Sequence, residues 1–338
     1  VWTTSNGVSG ADSTTVFDNF VGSQPSWVYS PCYDFTYSQR PMIKFDYLTD
    51  MRTNVDGATM EYFDERINPA TNEKYGWRRF GDISHGINWY NSTNLISLFG
   101  SPDFRETNLL QGWSDTLADW QTARHRLDQF RGKSNIRFRI AFAAALTNNT
   151  GGATGQPFNG MAFDNVWIGE RGRGVLIEHF TNENIPNSAA INQHIYNLAF
   201  HDDNFQDIAL IQYHTGANGF DPYHAASEPN GGGARILGYG ISNTIEGRTV
   251  VDGNFWLDTS RQLTPQIVEY EMLQDPYFNI TGTAEPKITL NVNNQSANIQ
   301  AEVLAMQDLP FGQYFLYPAI VEDSIPSFVS GQLRSVFR

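Results

Sequence analysis

The chain has 338 residues, of which 40% are apolar and 14% aromatic, and its formal net charge is −14. This composition predicts folded globular domains, because disordered chains are poor in apolar and aromatic residues. The acidity argues against nucleic-acid binding, since negative charge repels phosphate backbones. The sequence also lacks an apolar run of the roughly 18 residues that a membrane-spanning helix needs.

Cys32 is the only cysteine in the sequence. A disulfide within the chain is therefore excluded, and a zinc site built on cysteines would need more thiolate ligands. We predict a buried structural thiol at Cys32, because a cysteine without a redox partner behaves as a small hydrophobic side chain. The chain begins with Val1 and shows no signal peptide there, so we expect a processed or partial segment of a longer protein.

Residues 1–172 are predicted to form an all-β sandwich, in which aromatic and β-branched runs alternate with turn-forming clusters. The run 136–142 places four apolar residues on one face of a strand and Arg137 and Arg139 on the other. This alternation predicts an antiparallel strand with one buried face. The segment 115–130 is predicted as a loop followed by a strand, because the sandwich needs a strand there. Further predicted strands lie at 26–29, 42–47, 59–63 and 161–168.

A series of short motifs runs through this first half. They are Trp-Thr-Thr at 2–4, Ser-Pro-Cys-Tyr-Asp-Phe at 30–35, Asp-Gly-Ala-Thr-Met-Glu at 56–61, Trp77, Phe80-Gly81, Ile-Asn-Trp-Tyr at 87–90, Gly112-Trp113, Arg-Phe-Arg at 137–139 and Gly-Met-Ala-Phe-Asp-Asn-Val-Trp-Ile at 160–168. Their order resembles the MAM-like jelly roll of secreted Bacteroidota proteins. The resemblance implies a jelly roll over 1–172 that is incomplete at its N-terminus, because the family domain begins with strands upstream of its Trp-x-Thr.

The same resemblance implies a calcium site. Jelly rolls of this type often hold Ca²⁺ near the aspartate of the last strand, which corresponds to Asp164. Calcium prefers six to eight oxygen ligands from carboxylates and backbone carbonyls. Asp18, Asp46 and Asp56 are candidate further ligands. The alternative is that Asp164 is a solvated or capping residue.

A polar joint at 170–174 marks the predicted end of the first domain, and the pattern then changes to alternating strands and helices. Ser188 is the predicted N-cap of the first helix. The second helix is predicted to begin at Asp258 or Thr259, with Pro265 in its first turns. This order of elements is that of a thioredoxin fold. The predicted elements are strands at 175–180, 208–213 and 249–251, and helices at 188–200 and 258–274.

The second domain also carries ordered motifs. They are Val-Leu-Ile-Glu-His-Phe-Thr at 175–181, Tyr213-His214, Asp221-Pro222, Arg235, Tyr239-Gly240 and Val251-Asp252-Gly253. These motifs resemble the thioredoxin-like outer-membrane protein family of Bacteroidota and imply such a domain over 173–284. In two respects the chain departs from that family. The family cysteines fall on Ile185 and Ser188, and its usual proline falls near Gly247. Disulfide exchange requires a thiolate, so we predict a redox-inactive scaffold.

Residues 285–338 return to β-type alternation, with predicted strands at 287–292, 296–304 and 313–321. The same family carries a small β-sandwich at this position, so the resemblance implies one here. The predicted fold class is therefore multidomain, with an all-β jelly-roll sandwich, an α/β thioredoxin-like domain and a small β-sandwich.

Aromatic residues are candidates for ligand binding. Trp89, Tyr90 and Trp113 lie in loop-like surroundings rich in Gly and Asn, which Trp77 and Trp120 share. Exposed aromatic rings stack on sugars and form hot spots for proteins, so Trp89, Tyr90 and Trp113 are the predicted ligand-binding residues. The alternative is that these rings fill the core, because large β domains bury many of their tryptophans.

A polar loop follows the strand at 208–213 and could hold a metal ion. Its spacing matches no established metal signature, and some of its residues also occur in the redox relatives. Local hydrogen bonding is therefore the favoured interpretation. The candidate ligands are His214, Asp221, His224 and Glu228.

The sequence offers no catalytic constellation. G-x-S-x-G and H-E-x-x-H motifs are missing. Glu178 and His179 are neighbours on a predicted strand, so their side chains point to opposite faces and cannot act together.

The two resemblances imply a segment of a secreted or cell-surface Bacteroidota protein, exported by type IX secretion. Without a catalytic constellation, we predict that this segment is non-catalytic and serves in binding or adhesion. The expected location is extracellular or on the outer cell surface. The expected partners are a glycan, a protein ligand or neighbouring subunits, with no nucleic acid and no membrane-spanning segment. Two alternatives remain open: an accessory region of a secreted hydrolase, and a structural subunit of an extracellular filament or surface assembly.

Overall fold

The structure is a computed structural model. The chain folds into two compact units, Val1–Arg171 and Gly172–Arg338. Within the described residues, no helix is long and apolar enough to cross a membrane. The described residues are 3–6, 23–67, 69–70, 72, 74–95, 111–145, 158–184, 188–200, 207–216, 219, 221–224, 232–240, 248–253, 263–279, 287–291, 296–313, 316, 319, 321–322, 325–327, 331–333 and 336–337.

The described residues of the first unit form two antiparallel sheets. The strands are β1 (Thr3–Asn6), β2 (Ser23–Tyr33), β3 (Pro41–Asp50), β4 (Gly57–Ile67), β5 (Lys74–Arg79), β6 (Gln121–Arg126), β7 (Ile136–Ala145) and β8 (Gly160–Glu170). One sheet has five strands in the order β1-β2-β7-β4-β5, and the other has three in the order β6-β3-β8. A short 3₁₀ helix, Asp128–Phe130, follows β6. The prediction of a loop followed by a strand within 115–130 is therefore confirmed.

The two sheets enclose one hydrophobic core. The five-stranded sheet contributes Met60 and Phe138 to it, and the three-stranded sheet contributes Ile43 and Phe45. Successive side chains of a strand point to opposite sides. The residues that flank these core residues along each strand therefore lie on the outer faces of the sheets. This arrangement confirms the predicted β-sandwich. Aromatic residues from the connecting segments complete the core: Phe35, Phe80, Trp89, Tyr90, Trp113 and Phe130.

A mixed sheet lies at the centre of the second unit. Its strands are β9 (Val175–Thr181), β10 (Ile208–His214), β11 (Arg248–Val251), β16 (Val321–Glu322) and β19 (Val336–Phe337), in the order β11-β9-β10-β19-β16. β9 and β10 are parallel and are connected through α1 (Ser188–Phe200), while β11 runs antiparallel to β9. The predicted strand–helix–strand order at 175–213 is thus confirmed.

Helices pack on both sides of this sheet. They include α2 (Gly232–Gly238) and α3 (Pro265–Met272). α1 and α3 contribute Ile195 and Val268 to one core cluster. α2 contributes Ile236 to a second cluster on the opposite side. The side chains of β9 alternate between the two clusters, as the period of a strand requires.

The second predicted helix starts later than expected. Thr264 is its N-cap residue, with an extended backbone, and Pro265 occupies the first helical turn. Proline suits that position, because its missing N–H would have no partner within the helix and its φ is already helical. The prediction of Asp258 or Thr259 as the cap is therefore corrected, and both residues lie outside the described part of the chain.

The last part of the chain forms short strand pairs. β16 and β19 come from the segment 285–338, which was predicted as a separate small β-sandwich, and they extend the mixed sheet beyond β10. The other strands are β12 (Phe278–Asn279) with β15 (Leu304–Ala305), β13 (Lys287–Asn291) with β14 (Ser296–Gln300), and β17 (Ile325–Ser327) with β18 (Gly331–Leu333).

Candidate functional site

The predicted ligand-binding aromatics are core residues, so that prediction is wrong. Trp89 is 2% exposed, Tyr90 6% and Trp113 0%. Their rings pack against one another, with 5.0 Å between the centroids of Trp89 and Trp113. Buried rings cannot stack on a sugar, and the core alternative applies.

The glycines near these rings explain why the sequence wrongly predicted an exposed loop around them. A Cβ at Gly81 would collide with the Trp89 indole nitrogen, and Gly81 has a φ of +78°. A Cβ at Gly112 would collide with the carbonyl oxygen of Ala58. These glycines are therefore required where backbone closes tightly around the aromatic core, and they do not mark an exposed loop.

The Tyr90 hydroxyl is likewise committed to the fold. It accepts a hydrogen bond from the Met60 amide at 3.0 Å and donates to the Phe80 carbonyl at 2.7 Å. Burial raises the pKa of Tyr90, so the phenol stays protonated. Tyr90 thus joins the backbone of β4 to the residue that follows β5.

Half-buried aromatic rings gather on the outer side of the five-stranded sheet. Because Met60 and Phe138 point into the core, Glu61 and Arg139, their neighbours along the strands, point outward. We call this surface the aromatic face. It comprises Trp27 and Tyr29 of β2, Arg137 and Arg139 of β7, Glu61 and Phe63 of β4, and Trp77 and Arg79 of β5.

Strand register aligns these residues across four strands. Tyr29 pairs with Arg139, Arg139 with Glu61, and Glu61 with Arg79. Phe63 pairs with Trp77 in the adjoining row. The aromatic face is therefore a continuous surface that no single strand could supply.

A buried ion pair lies at the centre of the aromatic face. Arg139 Nε donates to Glu61 Oε2 at 2.5 Å, and both residues are 1% exposed. The Arg139 guanidinium carbon lies 4.3 Å from the Trp77 ring centroid and 5.3 Å from that of Trp27. Arg139 lies on the outer side of β7, as predicted. A strand with one buried face would expose this side to solvent, but the Trp27 and Trp77 rings cover the Arg139 side chain, so that expectation is corrected.

The rings around this pair retain exposed surface. Trp27, Tyr29, Phe63 and Trp77 are all of intermediate burial. Tyr29 and Phe63 lie 5.4 Å and 5.3 Å from Trp77, measured between ring centroids. Cation–π contacts with a desolvated guanidinium contribute about 2 kcal/mol or more, so Arg139 holds the indoles in fixed positions.

In the second unit, Ser188 is buried and is the first residue of α1. Ile185 and Gly247, the other two positions predicted to be degenerate redox residues, lie outside the described residues. Beside Ser188, α1 carries the buried Asn192. Polar side chains thus occupy the start of this helix.

Asn192 belongs to a buried network around His179. Its side-chain oxygen accepts from His179 Nε2 at 3.0 Å and from Thr181 at 3.1 Å. His179 Nδ1 accepts from the Thr249 hydroxyl at 3.0 Å. Burial lowers the pKa of His179 to about 4, so the ring is neutral at physiological pH.

The Glu178 side chain points to the side of β9 opposite that of His179, as predicted. Arg235 donates to its two oxygens at 2.7 and 2.8 Å, and the Tyr239 hydroxyl donates at 2.5 Å. These contacts link β9 to α2. Glu178 therefore bonds to the α2 side of β9, whereas His179 bonds to Asn192 of α1 and Thr249 of β11.

The loop after β10 is held by hydrogen bonds. His214 Nδ1 donates to Asp221 at 2.8 Å, and the amides of Glu183 and Tyr223 donate to the same carboxylate. Burial opposes ionisation, but these donors outweigh it and lower the pKa of Asp221. These are the contacts that the hydrogen-bonding interpretation predicts. Glu228 lies outside the described residues.

Asp164, the predicted calcium ligand, is exposed in β8 and pairs in register with Asp46. The Asp46 carboxylate accepts from Thr122 and Asn165, and Asp56 is paired with Arg52 at 2.6 Å. Across the part of the chain that the structure describes, no group of three or more acidic, His or Cys side chains gathers to hold a metal ion. The calcium site at Asp164 stays a prediction.

Cys32 is exposed, so the prediction of a buried thiol is wrong. The pairing of β2 with β7 shifts between Tyr29 and Cys32 through a β-bulge. One extra residue reverses which side chains point inward. Tyr33 therefore packs against the core, and Cys32 faces outward beside Arg137.

The chain shows little similarity to known proteins. No family model matches the chain, and no curated protein matches it. Among solved structures, the K1 cleaved adhesin domain of Lys-gingipain from Porphyromonas gingivalis W83 is 13% identical and has a TM-score of 0.17. That match covers 51% of this chain and 73% of the adhesin chain. At so low a TM-score the likeness carries no argument about fold or function.

Proposed function

We propose that the chain is a non-catalytic segment of a secreted or cell-surface protein and that it serves in adhesion, binding a ligand through the aromatic face. The observation that carries this proposal is the set of half-buried rings fixed by the Arg139–Glu61 pair. Rings held in place before binding lose little conformational entropy when a ligand arrives. Their flat surfaces suit the apolar faces of sugars or an aromatic hot spot of a protein.

The second unit fits a scaffold role in this proposal. This interpretation is supported by the parallel β9–α1–β10 unit, the antiparallel β11 and the helices on both sides, which a thioredoxin-like domain would also have. Ser188 stands at the start of α1, where the resemblance places a cysteine. We therefore interpret the second unit as a redox-inactive thioredoxin-like domain. A MAM-like jelly roll, bound calcium, a Bacteroidota source and type IX export rest on the sequence resemblances.

Binding to an array of glycans and immobilised extracellular proteins tests the proposal. We expect the chain to bind at least one class, and Trp77→Ala and Trp27→Ala to weaken that binding at least tenfold. Trp167→Ala is the matched control, because Trp167 is 40% exposed on the other sheet. Equal weakening by all three variants, or none by the first two, would refute the assignment of the aromatic face.

A structural subunit of a surface assembly is the second candidate, favoured by exposed apolar side chains in the last part of the chain. Phe311 is fully exposed there. Sedimentation velocity over a concentration series should show association that Phe311→Ser weakens and Tyr37→Ser, at a comparably exposed site in the first unit, does not. A monomer at all concentrations would exclude this candidate. The exposed residues are Val303, Leu304, Met306, Phe311, Leu316 and Val321.

A further inference from the structure

The aromatic face is basic although the chain is acidic. It contains three arginines, Arg79, Arg137 and Arg139, against the single carboxylate of Glu61. Even if the exposed Glu65 further along β4 is included, arginines outnumber carboxylates. The whole chain carries a net charge of −14, so this surface concentrates positive charge against the general trend.

The charges on this face have different roles. Arg139 is neutralised by Glu61 and buried, so it positions the rings. Arg137 is exposed, and its guanidinium carbon lies 5.1 Å from the Tyr29 ring centroid. Its Nε donates to the Ser30 carbonyl at 3.1 Å, and no carboxylate of the described residues forms an ion pair with it. Arg137 is therefore a cation held in place beside aromatic rings, with its terminal nitrogens available to an anion.

We infer that the aromatic face binds an acidic polysaccharide, with Arg137 pairing with a carboxylate or sulfate group and the indoles of Trp27 and Trp77 stacking on sugar rings. This inference rests on the proposed function and names the class of its ligand. A guanidinium binds two oxygens of a carboxylate or a sulfate group through paired N–H donors. The adjoining rings supply the apolar contact that sugar rings require.

The dimensions of the face suit an extended chain. From β2 to β5 it spans three inter-strand intervals, or about 14 Å. That width accommodates several consecutive sugar residues. A repeating anionic polymer can therefore contact an indole and Arg137 at the same time, which a single small anion cannot do.

Ionic strength should affect this binding strongly. Elsewhere the acidic chain repels an anionic polymer, so attraction depends on the local field of a few arginines. Exposed charges are screened over about 10 Å at 0.1 M salt. Affinity for an acidic polysaccharide should therefore fall as salt rises, whereas stacking on a neutral glycan should change little.

The test measures binding of the full chain to immobilised polygalacturonate and dextran sulfate, with fully methyl-esterified pectin and dextran as their neutral counterparts. The two acidic probes separate carboxylate from sulfate as the recognised group. We expect binding to one or both acidic probes and at least tenfold weaker binding to the neutral ones. Arg137→Gln should weaken acidic binding about tenfold or more, since a hydrogen-bonded charge is lost.

Two variants control the assignment. Arg124→Gln removes an arginine from the other sheet and should leave binding unchanged. Arg137→Lys keeps the charge but loses the planar fork, so its affinity should lie between those of wild type and Arg137→Gln. Circular dichroism and thermal unfolding of each variant exclude loss of fold as the cause.

The remaining outcomes are decisive. Stronger binding to neutral probes that depends on Trp77 would overturn the ligand class but leave the proposed function intact. Absence of binding to every probe and array member would remove the proposed function as well. Acidic binding that Arg137→Gln does not change would mean that charge elsewhere attracts polyanions. Equal binding to poly-glutamate, a polyanion without sugar rings, would mean that charge alone is recognised. Either result would make the inference wrong.

Discussion

The two units place an arginine–glutamate pair in different environments. In the first unit, Arg139 and Glu61 lie on the outer face of a sheet and are both buried beneath aromatic rings. In the second unit, Glu178 is buried but the Arg235 side chain is 40% exposed. The first pair supports a surface of half-buried rings, and the second joins a strand to a helix. The comparison shows that the environment of an ion pair, more than its chemistry, indicates its role.

The largest effect is expected in the core of the first unit. Trp113→Ala should destabilise it by about 3–5 kcal/mol, because the substitution removes a fully buried indole with its ring contacts and leaves a cavity. Hydrogen exchange followed by mass spectrometry should show lost protection in β3, β4 and β7, while β9 and β10 keep theirs. Trp120→Ala is the control, because Trp120 is 51% exposed. Equal loss of protection in both units would contradict the division.

The ion pairs give the next contrast. Glu61→Ala leaves the buried Arg139 without a counter-charge and should cost about 3–5 kcal/mol. Glu178→Ala should cost less, about 1–3 kcal/mol, because Arg235 can turn toward water. Urea denaturation of both variants measures the difference. A larger cost for Glu178→Ala would reverse our interpretation of the two environments.

Each unit also buries a neutral histidine, and acid should destabilise both. Burial lowers the pKa of His125 and of His179 to about 4. Since each pKa is below its unfolded value of about 6.5, the unfolded chain binds more protons and stability is lost as pH falls from about 6.5 toward 4. Each histidine should remove about 2 kcal/mol of stability by pH 5.

Single substitutions separate the two histidines. His179→Gln should flatten the pH dependence of the second unit, and His125→Gln that of the first. Denaturation at pH 7.5 and pH 5, followed by hydrogen exchange in each unit, measures this. An unchanged pH dependence in the substituted unit would show that its histidine is not the titrating group.

The smallest effect concerns Cys32. Because its side chain is exposed, Cys32→Ser should change the free energy of unfolding by less than about 0.5 kcal/mol. In the folded protein the thiol should react with a disulfide reagent as fast as in urea. Slow reaction that speeds up on unfolding would restore the buried thiol that the sequence predicted.

Several local features followed from sequence pattern. The helix over 188–200 and the strands β3, β7 and β10 were predictable, because their apolar residues recur at helical or alternating spacing. Alternation also placed Arg139 on the outer side of β7. These are properties of a few neighbouring residues, and backbone geometry fixes them locally.

The aromatic face could not be predicted in the same way. Trp77 was among the aromatic residues in loop-like surroundings, but it lies in β5 and joins the aromatic face. Trp89 and Trp113 shared those surroundings and lie in the core. Alternation could have placed Trp27 and Tyr29 on one face of β2, and Phe63 on the same face of β4 as Glu61. Only the register between strands brings them together around Arg139.

The sequence by itself determined several of the strands and the helix over 188–200 and, within a regular strand, which residues share a side. Tertiary structure decided which side is buried, which strands are neighbours and where a bulge reverses the alternation, as at Cys32. The physical reason is range. Alternation depends on the covalent geometry of adjacent residues, whereas the burial of Arg139 depends on strands that are 78 residues apart at its contact with Glu61.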